Sequence, residues 1–163
     1  MSPHLVIAVN NSHDAKLMRQ GVAGGSEITI LELPAEKLPT LTDLDAIFLP
    51  LPAAERWGAR PLFHKAQILS AQGAEATPSV DMPPYVVTGV AMAPDDPHEP
   101  AFELALIVTS VLEAVQAFNA QHPGAIRVIG FWGGNLCIDQ LGPEQVGRII
   151  RAAYEKTLST MES

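Results

Sequence analysis

Short apolar runs alternate along this chain with longer amphipathic stretches, and that alternation limits the fold more than any other feature of the sequence. Residues 5–9 (LVIAV) and 85–91 (YVVTGVA) are continuous apolar runs typical of strands covered on both faces. Strands separated by helices are typical of α/β domains with a largely parallel sheet. The sequence therefore predicts a three-layer α/β/α domain around a central mixed sheet of at least five strands.

The predicted elements follow the order βαββαβαβα. Ser12 is the predicted N-cap of the first helix, and Pro61 suits the first turn of the second helix, which Gly73 would end. Strands are predicted at 5–9, 28–33, 45–49, 85–91 and 126–132, and helices at 13–20, 61–72, 101–121 and 143–159.

Length and composition favour one domain over residues 1–163. Hydrophobic residues make up 47% of the chain and charged residues 17%, so it has the material for a full core. The apolar runs are interrupted before the roughly 20 residues that a membrane span needs, and no secretory leader is visible. With one cysteine, Cys137, a disulfide framework is excluded. We therefore expect a cytoplasmic protein without a membrane partner.

The net charge of −8 disfavours extended binding to nucleic acid, because that affinity comes from Lys and Arg displacing counterions. A small anionic ligand remains compatible with this charge, since backbone N–H groups can hold phosphate without basic side chains.

In open α/β sheets, ligands bind beyond the carboxyl ends of the strands, which directs attention to the loops there. The loop Gly133-Gly134-Asn135 follows a predicted strand, where its backbone could wrap a diphosphate or simply form a turn. Trp57 and Trp132 could stack on a nucleoside or pack in the core.

Side-chain chemistry gives no clear catalytic set. The five histidines fall in separate segments without metal-ligand spacing, so neither a metal nor a cofactor is expected. Cys137 would be nucleophilic only if its pKa were lowered, and Asp95, Asp96 and Glu99 form an acidic loop that is either functional or merely solvated. The catalytic residues therefore remain unknown.

Three stretches resemble the macro domain family. Asp45-Ala46-Ile47 is similar to a strand that begins D-A-I in that family. Residues 73–90 resemble its pattern of a glycine, a threonine and then L-P-x-x-Y-V-I-H. Residues 126–154 are similar to its final strand, phosphate loop and closing helix. Together with the element order, the resemblance covers residues 28–159.

The resemblance implies a macro-like fold that binds ADP-ribose or a related nucleotide metabolite. The family's Asn-Ala-Ala-Asn run is replaced here by residues 48–54 (FLPLPAA), so the asparagine tied to catalysis is absent. The diphosphate would rest on the loop after residue 132 and on amides after Ile47, with Trp132 or Glu36 near the nucleoside. The implied ligand-binding residues are Glu36, Ile47, Gly58, Trp132, Gly133, Gly134, Asn135, Leu136 and Cys137.

Three functions remain open from the sequence. The first is a module that binds ADP-ribose or a similar nucleotide, with or without turnover. The second is a hydrolase that removes ADP-ribose from modified substrates, using groups such as Asn135, Asp95 or Asp96 to position water. The third is a macro-fold protein that has lost nucleotide binding and contacts a protein partner through the apolar loop 48–57.

Overall fold

One sheet forms the middle of the structure. The computed structural model describes residues 2–24, 27–71 and 82–162. Within them, six strands lie in the order β2-β1-β6-β3-β5-β4, and β4 alone is antiparallel to its neighbour. The prediction of a three-layer α/β/α fold with a mixed sheet is confirmed. The strands are β1 (His4–Val9), β2 (Ile28–Glu32), β3 (Ala46–Leu49), β4 (Ile68–Ser70), β5 (Tyr85–Thr88) and β6 (Val128–Trp132).

Long helices and short helical turns cover different faces of this sheet. Among the residues that the structure describes, three short segments are 3₁₀ helical: Ala35–Thr40, Glu55–Trp57 and Gly133–Asn135. The α-helices are α1 (Ser12–Val22), α2 (Leu51–Ala54), α3 (Pro100–Gln121), α4 (Ile138–Leu141) and α5 (Pro143–Glu162).

The alternation of side chains along β1 divides the core into two parts. Leu5, Ile7 and Val9 point to the face covered by α1, α3 and α5, where the larger core lies. Val6 and Ala8 point to the opposite face, which the 3₁₀ segment Ala35–Thr40 and α2 cover. Successive residues of a strand face opposite sides of a sheet. A sheet buried on both faces therefore needs the continuous apolar runs seen in the sequence.

The first helix is capped by a different residue from the one predicted. Asn11, not Ser12, is the N-cap: its extended backbone precedes the helix, and its Oδ1 accepts a hydrogen bond from Asp14 N at 2.8 Å. The prediction of Ser12 was wrong because both residues are good caps and only the backbone geometry distinguishes them.

The helix predicted over 61–72 is wrong within the residues that the structure describes. Leu62 and Lys65 form a tight turn, and residues 68–70 form the edge strand β4. The apparent helical face is not buried, since Leu62 is 56% exposed. Pairing with β5 decides the conformation, because Thr88 N donates to Gln67 O and Gln67 N to Thr88 Oγ1. Gly73, the expected stop, lies outside the described residues.

Helix α3 is the one helix in the described parts of the chain that is long and apolar enough, by length and composition alone, to cross a membrane. In the structure it packs against the sheet and α5, with Leu104, Val108, Val111 and Leu112 buried. A core helix satisfies the same criterion, so this observation is weak evidence for a span.

The junction between β3 and β6 is reinforced by a side chain. Asp45, directly before β3, accepts hydrogen bonds from the backbone N–H groups of Arg127 and Val128 at 2.8 and 3.0 Å. Its carboxylate therefore fixes the start of β3 to the start of β6.

We expect Asp45→Ala to lower the free energy of unfolding by about 1–3 kcal/mol, because it leaves two backbone donors without their charged acceptor. Urea denaturation measures this loss. Asp43→Ala is the matched control, since Asp43 is exposed and its side chain makes no hydrogen bond within the described residues. It should change the free energy of unfolding by less than about 0.5 kcal/mol. Equal losses in the two variants would contradict the assigned role of Asp45.

Candidate functional site

The candidate site begins where β3 and β6 separate. These strands pair only through Ala46 with Ile129 and Ile47 with Gly130. Each nevertheless continues to pair with its other neighbour, β3 as far as Leu49 and β6 as far as Trp132. Beyond Ile47 the two strands no longer pair with each other, and a crevice can form at this point, at their carboxyl ends.

The connections after these two strands leave toward opposite faces of the sheet. The chain after β6 enters α4 and α5, whose buried residues belong to the larger core. The chain after β3 enters α2, whose Ala54 belongs to the smaller core. Adjacent parallel strands with this arrangement mark the point where open α/β sheets place their ligands.

The loop after β6 is held tightly against β1. A Cβ atom at Gly133 would lie 2.7 Å from Val9 Cγ1 and 3.1 Å from Ala8 O, so only glycine fits there without movement. The Leu136 side chain is buried in the larger core, which leaves only its backbone for a ligand. Its N–H donates to Gly133 O at 3.0 Å.

The backbone N–H of Gly134 is a donor that this loop leaves over, since it has no backbone hydrogen-bond partner among the described residues. The 3₁₀ conformation of Gly133–Asn135 directs Asn135 N–H to the carbonyl of Trp132. Gly134 is exposed, and a Cβ atom there would lie 2.5 Å from Trp132 Nε1. The loop can therefore present one amide beside the Trp132 indole, in a region where neither Lys nor Arg occurs between residues 130 and 146.

Cys137 is poorly suited to be a nucleophile. Burial raises the pKa of its thiol, and the nearby Glu103 carboxylate raises it further. The Sγ atom lies 3.9 Å from Glu103 Oε2. Because the thiolate is the reactive form, both effects lower reactivity at neutral pH. Cys137 also adopts a left-handed conformation, with φ of 59°, which turns the chain into α4.

A pocket of about 410 Å³ lies beside the carboxyl half of β3, on the face of the smaller core. Ile47 and Leu49 contribute to it from the strand. Trp57 joins them from the 3₁₀ segment after α2, and its Nε1 donates to Ala71 O at 3.3 Å. The Arg56 guanidinium lies 5.0 Å from the centre of the Trp57 ring. The remaining lining residues are Pro39, Pro52, Ala53 and Met82.

The other predicted site residues lie around this pocket without lining it. Glu36 is exposed in the first turn of the 3₁₀ segment that also carries Pro39. Gly58 follows Trp57 with φ of 88°, a conformation that favours glycine, and so it ends the 3₁₀ segment. The structure thus brings Ile47 and Trp57 together in the pocket, and it places Trp132 beside Gly134. Glu36 is exposed and does not line the pocket.

Sequence reasoning missed a pair of side chains next to β5. His64 Nε2 donates to Asp96 Oδ2 at 2.7 Å, and the same oxygen accepts from Ala93 N at 2.6 Å. The hydrogen bond from His64 lowers the pKa of Asp96, and the bond from Ala93 also lowers it against the opposing effect of desolvation. The two residues are 32 positions apart, and the left-handed backbone of His64 (φ 60°) gave no signal in the sequence.

A larger groove, of about 550 Å³, lies between α3 and α5 and is lined by residues of these two helices alone. Half of its ten lining residues are polar or charged: Thr109, Glu113, Lys156, Thr157 and Thr160. Within the described parts of the chain, His, Cys, Asp and Glu side chains form no group of three or more that could hold a metal ion.

Comparison of the chain with models of known protein families, with curated proteins and with solved structures finds no match. The fold and the strand-end geometry are therefore the basis for any functional assignment.

We expect His64→Asn to raise the pKa of Asp96 toward its ordinary value of 3.8, because the main cause of its depression is removed. Asparagine also tolerates the left-handed backbone at this position. NMR titration of the side-chain carboxyl carbons measures the shift. His98→Asn should have a smaller effect, since His98 acts on Asp96 only by charge and is the weakest contributor. An unchanged Asp96 pKa in His64→Asn would contradict the pairing.

Proposed function

We propose that this protein is a macro-like module that binds ADP-ribose or a related nucleotide metabolite in the crevice between β3 and β6. The observation that carries the proposal is the end of the pairing between these two strands next to a glycine-containing loop whose Gly134 N–H has no backbone partner among the described residues. The resemblance of residues 126–154 to the phosphate loop and closing helix of macro domains supports the same location.

The diphosphate would be held by backbone rather than by side chains. Gly134 N–H is an available donor, and a backbone site suits a chain with a net charge of −8. The neighbouring pocket beside Ile47, Leu49 and Trp57 would accommodate the nucleoside. An apolar pocket with a few polar groups near it is the usual form of a small-molecule site.

The alternative of a protein-interaction module receives less support. That hypothesis used the apolar loop 48–57, but Phe48 is 2% exposed and stacks on Phe131 with ring centres 5.2 Å apart. Leu49 is half-buried and faces the pocket. The apolar residues of this loop therefore serve the core and the pocket more than an outer surface.

We expect Gly134→Val to weaken ADP-ribose binding by at least about tenfold, because its side chain would displace the Trp132 indole and crowd the Gly134 amide. Titration calorimetry at low and high salt measures the affinity, with circular dichroism to confirm folding. Wild-type affinity should depend only modestly on salt, since backbone amides rather than Lys or Arg hold the phosphates.

Ala117→Val is the matched control for this variant. It adds the same side chain at an exposed position of α3, away from the strand ends, and should bind like the wild type. Equal affinity of Gly134→Val and the wild type would remove the loop from the site. Absence of wild-type binding to ADP-ribose would overturn the proposed function.

A further inference from the structure

We infer that the pocket beside β3 takes the nucleobase by apolar and aromatic contact and does not read the hydrogen-bonding edge of the base. This inference rests on the proposed function and extends it to the class of ligand. The ligands would be nucleoside diphosphate riboses with different bases, rather than adenine compounds alone.

The walls of the pocket carry the inference. Seven of its eight described lining residues are apolar or aromatic, and Arg56 is the exception. Ile47, Leu49 and Met82 offer neither a hydrogen-bond donor nor a strong acceptor in their side chains. The one polar atom of Trp57, Nε1, already donates to Ala71 O. Carboxylate, amide and hydroxyl side chains, which distinguish one base edge from another, are therefore missing from this described lining.

Arg56 does not change the conclusion. A guanidinium only donates hydrogen bonds, and every common base carries ring nitrogens or carbonyl oxygens that can accept them. Its position over the Trp57 ring also shows that the indole can support a flat, delocalised group. Stacking is tolerant of sequence because every base has a π face.

Glu36, the acidic residue that could have contacted the amino group of adenine, is exposed and does not line the pocket. A site that hydrogen-bonds a ligand group rejects analogues without it by about 10⁴-fold or more, whereas an apolar pocket discriminates between similar shapes by about 10²-fold at most. Weak discrimination between bases of similar size follows from this lining.

The test compares three ligands that share the diphosphate and both riboses and differ only at the base. They are ADP-ribose, inosine diphosphate ribose, in which a carbonyl replaces the amino group, and 1,N6-etheno-ADP-ribose, in which the edge is blocked. Titration calorimetry should give dissociation constants that agree within about 100-fold for all three, as expected for stacking without edge readout.

Variants at Trp57 test whether the base of the ligand occupies this pocket. Trp57→Leu should weaken all three ligands by about tenfold or more, as expected when a stacking surface is lost, while Trp57→Phe should retain most of the affinity. Phe63→Leu is the matched control, because Phe63 is 60% exposed and lies outside the pocket. Thermal melting of each variant excludes unfolding as the cause.

The outcomes separate this inference from the proposed function. Binding of ADP-ribose with a preference of more than about 100-fold over the other two ligands would overturn the inference and leave the proposed function standing. Equal binding that does not respond to Trp57→Leu would place the base elsewhere and also overturn it. If none of the three ligands binds, the proposed function fails and the inference fails with it.

Discussion

The short pairing between β3 and β6 is the constraint on which the rest of the structure depends. It joins a half-sheet of β2, β1 and β6 to a second half of β3, β5 and β4 through two residue pairs. Asp45 strengthens the amino-terminal end of this junction by accepting two backbone hydrogen bonds from the other half. A junction fixed at one end and free at the other leaves a crevice where the strands separate.

The chemistry of the crevice follows from its position. The loop after β6 is pressed against β1 so closely that Gly133 cannot carry a side chain without movement, while the N–H of Gly134 has no backbone partner among the described residues. Since that region lacks basic residues, the backbone is the available means of holding an anion in an acidic protein. Ile47 and Leu49 of β3 also line a pocket with Trp57, on the face of the smaller core.

Five of the six described strands were predictable from the sequence because burial on both faces requires continuous apolar runs, as in residues 5–9. The strand predicted over 85–91 ends at Thr88. Strand β4 was not predictable, since the apolar spacing of residues 61–71 imitates a helix and pairing with Thr88 makes this segment a turn and an edge strand. The place of Gly133–Asn135 directly after a strand was also predictable, and its role in a site stays a prediction. The pocket residues Pro39 and Met82 and the pair of His64 with Asp96 depend on contacts across the fold, which local patterns do not contain.

The central claim is that a nucleotide binds between β3 and β6, and amide chemical-shift mapping tests it most directly. In ¹⁵N–¹H spectra of the labelled protein titrated with ADP-ribose, the account predicts that the largest shifts occur at the amides of Gly134 and Asn135 and at the Trp57 indole N–H. Shifts confined to the groove between α3 and α5, or an unchanged spectrum at saturating ligand, would contradict it.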